Sequence, residues 1–101
     1  MKSSKDMNKT IQEMQNCNKR VIVEAIESSS PILQLNGLMF ASKYSVYEAS
    51  DAIKKLDCKD NKFMGTPLSN FKIAAMHLLG IAEYKGNETQ IKEMIESKFG
   101  I

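Results

Sequence analysis

Cysteine and histidine are scarce in this chain. Its 101 residues include two cysteines, Cys17 and Cys58, and one histidine, His77. The cysteines lack the Cys-x-x-Cys spacing of zinc and redox motifs, so neither a zinc site nor a disulfide framework is expected. His77 has no second histidine, cysteine or acidic residue beside it. We therefore expect no bound metal and no cofactor.

Arginine and a charge excess of one sign are also missing. Arg20 is the only arginine, and the formal net charge is +2. Arginine is the preferred residue for bidentate phosphate and base recognition, so nucleic acid is an unlikely partner. A small nucleic-acid-binding regulator stays open as the alternative function. Its lysine-rich face would consist of Lys54, Lys55, Lys59, Lys62, Lys72 and Lys92.

Long apolar runs are absent, which excludes a membrane span of the roughly 20 residues that a bilayer requires. The polar start, residues 1–6, has no apolar segment of the kind found in secretory signals. We expect a flexible tail over 1–6, a single domain over 7–101 and a cytoplasmic location without membrane partners. The lysine, asparagine and isoleucine usage is typical of an AT-rich genome, and we expect a bacterial source.

What the chain does have is helical periodicity. Apolar residues recur at three- and four-residue steps, as in helices that bury one face, and no alternating stretch predicts a strand. We predict an all-α fold of about five helices joined by short connections. The predicted helices cover 7–27, 31–44, 46–56, 67–83 and 88–98.

Serine or threonine next to proline marks two of the predicted helix starts. Ser30-Pro31 and Thr66-Pro67 each place an N-cap residue before a proline at the first helical position. Ser45–Glu48 and Asn87–Gln90 have the form of a capping box, which marks two further starts. Residues 58–65 predict a loop whose hydrophobic residues tuck back onto the core.

Two of the predicted helix pairs match in character. Residues 31–56 align on residues 69–94 at a constant shift of 38, and the small residue Gly37 falls on Ala75. A hairpin of this size cannot bury its apolar face alone, whereas stacking on a neighbour completes a core. Small residues in these positions would let neighbouring helices approach closely. The two prolines differ by 36 positions rather than 38, so chance similarity between two amphipathic hairpins stays open.

The stretch Phe71-Lys72-Ile73-Ala74-Ala75-Met76-His77-Leu78-Leu79-Gly80 is almost wholly apolar and predicts a central helix. It resembles the first-helix signature of HEAT-like (armadillo-like) repeats. That signature is a hydrophobic residue and a base, then Ala-Ala, then Leu-Gly, after an upstream proline that is Pro67 here. Lys72 stands where the family favours arginine. The resemblance covers residues 31–98 and implies a short right-handed stack of helical hairpins, an α-α superhelix, that binds macromolecular partners and carries no catalytic residues.

The histidine and the cysteines each allow a chemical and a structural interpretation. His77 would be a base, a ligand or a pH switch in the first case, and an exposed or backbone-bonded residue at a helix edge in the second. Cys17 or Cys58 could pair with His77 as a nucleophilic dyad, but small buried hydrophobes are the favoured interpretation. No phosphate loop or nucleophile elbow is present. No catalytic residue is predicted, and we do not expect an enzyme.

The exposed faces of the helices at 46–56 and 88–98 are the predicted partner surface, because the second helices of stacked hairpins usually line the concave side. The candidate partner-binding residues are Lys54, Lys55, Lys92, Glu93 and Glu96. The alternative is a solvated charged face with intrahelical pairs such as Glu88–Lys92.

The first predicted helix carries an apolar stripe at alternating four- and three-residue steps, with Asn18 inside it. In a coiled coil, such an asparagine specifies a dimer. A homodimer through this stripe is one interpretation, and packing against the helix that starts at Pro31 is the other. The leading hypothesis is a non-enzymatic helical-repeat module that presents a rigid surface to a protein partner.

Overall fold

The computed structural model describes residues 4–63, 65–81 and 93, with side chains described from residue 8 onward. The described part contains five α-helices and one two-stranded hairpin, which confirms the all-α prediction. In chain order the elements are α1 (Ser4–Gln15), α2 (Lys19–Glu27), α3 (Pro31–Lys43), α4 (Ser50–Lys55), β1 (Lys62–Phe63), β2 (Thr66–Pro67) and α5 (Leu68–Leu78). Residues 1–3 of the predicted tail lie outside the described residues, and α1 begins at Ser4.

The prediction of one long helix over 7–27 is wrong. The chain leaves α1 through Cys17, whose φ of 60° is left-handed. It then restarts at Asn18, whose side chain accepts a hydrogen bond from the Val21 amide as the N-cap of α2. Asparagine is among the best N-cap residues, so the residue assigned to a coiled-coil seam serves as a cap. The continuous helix that the seam requires is not present, and apolar residues of α1 and α2 pack into the chain's own core.

Three of the helices end in the same left-handed turn. Cys17 after α1, Ser45 after α3 and Gly80 after α5 have φ values of 60°, 54° and 68°. After each, a backbone amide donates back across the last turn, as Val46 N does to Ala41 O at 2.8 Å. This Schellman arrangement satisfies carbonyls that a helix end otherwise leaves without partners.

The corner between α2 and α3 forms as predicted. Ser30 caps α3 by accepting from the Leu33 amide at 3.4 Å, and Pro31 occupies the first turn. Ser28 closes α2, because its hydroxyl donates to the Ala25 carbonyl at 2.7 Å. The Ser30 amide in turn donates to the Ser28 hydroxyl at 3.3 Å. These local bonds fix the direction in which α3 leaves α2.

Helix α3 packs against α1, α2 and α5. Its contact with α2 is closest at Gly37. A Cβ there would lie 2.6 Å from Ile26 Cγ1 and 3.2 Å from both Ile22 O and Ile26 N. The backbone of α3 therefore packs directly on α2 at a glycine, in agreement with the expectation that a small residue at this position permits close approach.

Helix α5, predicted to be the central one, packs on α3 and α4 but keeps an outward edge. Ile73 is 37% exposed and His77 is also exposed. The central place of α5 between 31–56 and 88–98 stays a prediction. The helix also ends at Leu78, before the predicted end at residue 83, because Gly80 takes up a left-handed conformation. Of that predicted neighbour at 88–98, only residue 93 is described.

The capping box predicted at Ser45 is wrong. Ser45 forms the left-handed end of α3, and a 3-10 turn over Tyr47–Ala49 without a side-chain cap leads into the short helix α4. The Glu48 carboxylate instead lies 3.1 Å from Lys19 Nζ. A backbone hydrogen bond at Glu48 and the bond from Lys19 lower the pKa of this carboxyl. The predicted apolar stripe is nonetheless buried throughout, at Val46, Ala49, Ala52, Ile53 and Leu56.

The predicted loop at 58–65 contains β1 and contributes to a small hairpin, in which β1 and β2 pair antiparallel. The prediction that the chain has no strand is therefore wrong. Strands of two residues are too short to show the alternating pattern from which a strand is predicted. Thr66 belongs to β2 and does not cap α5, whose N-cap position is taken by Pro67 without a side-chain bond. Phe63 packs against the core, as expected for this loop.

The Gly37 contact predicts that Gly37→Ala destabilises the fold. Alanine favours a helix by about 1 kcal/mol, whereas overpacking a tight contact costs about 1–3 kcal/mol. We expect a net loss of about 1 kcal/mol in the free energy of unfolding, measured by urea denaturation. In an Ile26→Ala background, which removes the nearest side-chain atoms, the same substitution should cost less. A stabilised Gly37→Ala protein would show that α2 and α3 do not touch here.

Candidate functional site

The predicted partner residues fall into two groups. Lys54 and Lys55 are exposed in the last turn of α4, so the structure brings these two together. Glu93 is exposed and helical. Lys92 and Glu96 lie outside the described residues. The sequence predicts lysine at equivalent positions of two helices. The structure describes the first of these helices, α4.

The nucleic-acid alternative assigns Lys72 to a lysine-rich face. In the structure, the Lys72 side chain instead connects two helices. Its ammonium donates to the Lys54 carbonyl at 3.2 Å and to the Leu56 carbonyl at 2.8 Å. These carbonyls lie at the end of α4, where the helix provides no partner and where a cation is favoured. Lys72 thus joins α5 to the end of α4 and supports the segment that carries Lys55.

An open groove of about 480 Å³ lies between the end of α2, the start of α3 and the end of α4. Its walls carry both apolar and charged side chains. The lining residues are Ile26, Glu27, Ser28, Gln34, Ala52, Lys55, Leu56, Asp57 and Lys59. The groove therefore includes one predicted partner residue, Lys55, together with several that the sequence pattern did not identify.

Gln34 is the unusual residue of this groove because it is polar and only 8% exposed. Its Nε2 donates to the Ser28 carbonyl at 2.7 Å. Its Oε1 is buried and accepts no hydrogen bond from any described residue. Leaving a buried acceptor without a hydrogen bond costs about 1–3 kcal/mol.

The groove rim carries charges of both signs. Glu27, Lys55, Asp57 and Lys59 are exposed, and none of the four forms an ion pair with a described residue. The Asp57 carboxylate accepts a hydrogen bond from the Lys59 amide at 3.1 Å, which orders the turn after α4. A rim of this kind suits a ligand that offers both donors and acceptors and carries little net charge.

Sequence reasoning identified Lys55 but missed Gln34. Lys55 follows from its place on the exposed side of an amphipathic helix. A signal for Gln34 was present, because it is the one polar side chain in the run Ile32-Leu33-Gln34-Leu35. Its unpaired oxygen depends on the corner at Ser28, which only the folded chain shows.

The cysteines and the histidine are placed differently from one another. His77 is exposed at the end of α5, as the structural interpretation predicted. Cys58 is buried, and this burial raises the pKa of its thiol, with a further rise from Asp57 and an opposing effect from Lys72. Cys17 is exposed in the turn after α1, so its prediction as a buried hydrophobe is wrong. Among the described residues, no three metal-ligating side chains lie close enough together to hold an ion.

No protein-family model matches the chain, and no curated protein or solved structure matches it either. Across the described residues, no helix has the length and apolar character needed to cross a membrane. The HEAT-like resemblance accordingly stays a prediction from residues 31–98.

Burial offers an internal comparison of the two proposed repeat units. At the shift of 38, Leu33 corresponds to Phe71 and Gly37 to Ala75, and all four are buried. The helix boundaries do not follow this shift, because α3 starts at residue 31 and α5 at residue 68. Of the second helix of the later unit, at 88–98, only residue 93 is described.

The contrast between the two thiols predicts selective alkylation. Under native conditions iodoacetamide should modify Cys17 and leave Cys58 largely unreacted, because Cys58 is buried and its raised pKa lowers the thiolate fraction at neutral pH. Peptide mass spectrometry after a timed reaction measures both sites. In 6 M guanidinium the two rates should converge. Equal rates in the native protein would contradict the described burial of Cys58.

Proposed function

We propose that this chain is a non-catalytic module that binds a protein partner through the groove between α2, α3 and α4. The observation that carries the proposal is a groove in which the buried side chains of Ile26, Ala52 and Leu56 lie inside a rim of charged side chains. Protein interfaces have this organisation, with a desolvated centre and a polar rim. The groove volume of about 480 Å³ lies within the range of sites that receive a ligand or an anchoring side chain.

The proposal includes the HEAT-like architecture as its framework. Two hairpins in a right-handed stack would place α4 on the concave side, where Lys54 and Lys55 are exposed. The shared burial of Leu33 with Phe71 and of Gly37 with Ala75 supports equivalent first helices. The compartment we propose is the cytoplasm, on the grounds given by the sequence.

Two features favour a protein over nucleic acid as the partner. The amine of Lys72 is held by the carbonyls at the end of α4. The groove rim also contains the carboxylates of Glu27 and Asp57, which a phosphate backbone would meet unfavourably. A non-catalytic role is supported by Cys58, because a buried thiol with a raised pKa is a poor nucleophile.

Site-specific photo-crosslinking tests the proposal. A photoreactive amino acid is introduced at position 55 in the native host, and the matched control carries it at Lys43, an exposed lysine at the far end of α3. Position 43 lies roughly 14 Å along the helix from Gln34, at 1.5 Å per residue. We expect a discrete protein adduct from position 55 that is missing from position 43.

Mass spectrometry of the adduct identifies the cross-linked partner peptide. Adducts of equal yield at both positions, or none at position 55, would contradict binding at this groove. An adduct whose cross-linked mass is nucleic acid would favour the alternative function instead.

A further inference from the structure

The end of α4 is held differently from the ends of the other described helices. Helices α1, α3 and α5 end in left-handed turns whose amides donate back, and α2 ends on the hydroxyl of Ser28. After α4 the backbone is extended at Leu56, with a ψ of 122°. The carbonyls of Lys54 and Leu56 accept from the Lys72 ammonium, at 3.2 Å and 2.8 Å. A side chain of α5 thus provides what the other helix ends obtain locally.

The same end of α4 forms one side of the groove. This side, called the α4 wall below, consists of Ala52, Lys55, Leu56, Asp57 and Lys59. The opposite side, from α2 and α3, is fixed by the hydrogen bonds of the corner at Ser28. Helix α4 has only six residues, and a helix that short is not stable without contacts to its surroundings. The position of the α4 wall therefore depends on what holds the end of α4.

Two kinds of contact hold it. The buried side chains of Ile53, Leu56 and Cys58 anchor the segment to the core. The Lys72 ammonium adds two charge-assisted hydrogen bonds at the end of the helix where the dipole favours a cation. Loss of the ammonium would leave the core contacts in place. It should therefore loosen the wall without unfolding the domain.

We propose that Lys72 is a positioning residue that holds the α4 wall of the groove closed, so that removal of its charge lets this wall open locally. In the described part of the chain, the residues that line the groove come from outside α5. A change at the Lys72 amine would thus regulate the groove from a helix that does not line it. The effect on partner binding rests on the proposed function, whereas the closing of the wall does not.

The thiol of Cys58 reports whether the wall opens, since it is buried two residues after Leu56. Iodoacetamide is added to the full chain for timed intervals, and peptide mass spectrometry follows the alkylation of Cys58. The test variant is Lys72→Met, which keeps an apolar side chain and removes the ammonium. The matched control is Lys62→Met, which removes the same charge from an exposed position in β1.

We expect Cys58 to react about 10- to 150-fold faster in Lys72→Met than in the parent chain, as the loss of one hydrogen bond to a charged group allows. Lys62→Met should react at the parental rate. Lys72→Arg keeps the charge and the donors, so it should retain most of the protection. The direction of the change is decisive. If Lys72 acted on Cys58 through its charge alone, removing it would raise the pKa of the thiol further and slow the reaction.

Urea below the unfolding transition separates local opening from loss of overall stability. A local opening exposes little surface, so its contribution to the rate changes little with urea, whereas global unfolding responds steeply. We expect the fast reaction of Lys72→Met to be nearly independent of urea in this range. A thermal melt checks folding, and Lys72→Gln, which is also uncharged, replaces the methionine variant where that variant is unfolded.

Two results would overturn the positioning role. One is an unchanged or slower alkylation of Cys58 in a folded, uncharged variant. The other is a rate that rises with urea in parallel with global unfolding, which would assign Lys72 to the overall stability of the fold.

The cross-linking experiment at position 55 separates this role from the proposed function. A reduced adduct yield in folded Lys72→Met, together with faster alkylation of Cys58, supports both. An undiminished adduct would remove Lys72 from partner binding. An adduct missing already in the parent chain removes the partner-binding groove, whereas the alkylation rates still decide whether Lys72 holds the α4 wall closed.

Discussion

The close approach of α2 and α3 at Gly37 is the constraint on which the rest of the described structure depends. Ile26 occupies the space that a side chain at position 37 would need. This contact and the hydrogen-bonded corner at Ser28 hold α2 and α3 against each other at two places. Gln34, three residues before Gly37, is buried against α2 as a result. The groove is thus a product of how tightly the two helices pack.

Much of the fold could be predicted from the sequence because it rests on apolar periodicity. The helical class, the buried stripe around Ile53 and the corner at Ser30-Pro31 all follow from side-chain spacing and from strong cap residues. The break at Cys17 and the end of α3 at Ser45 could not be predicted in this way. Both use left-handed turns without glycine, and their stabilising hydrogen bonds come from backbone atoms that every residue shares.

The candidate site likewise contains one residue that the sequence predicts and others whose positions it does not predict. Lys55 is accessible to sequence reasoning because exposure on an amphipathic helix is a local property. The position of Lys72 is not local, since its ammonium binds carbonyls of residues 54 and 56 across an interface between two helices. The unpaired oxygen of Gln34 likewise depends on the distance from its amide to Ser28, which is set by tertiary packing. A polar residue inside an apolar run indicates where to look but not which of its atoms lacks a partner.

Native-state hydrogen exchange tests the central place of the α2–α3 pair most directly. Amides exchange most slowly where opening requires unfolding of the whole domain. We expect the slowest amides in α2 around Ile22–Ile26 and in α3 around Gly37–Ala41, and faster exchange in α1. Slowest exchange in α1 or α5, with fast exchange around Gly37, would contradict the claim that this helix pair holds the structure together.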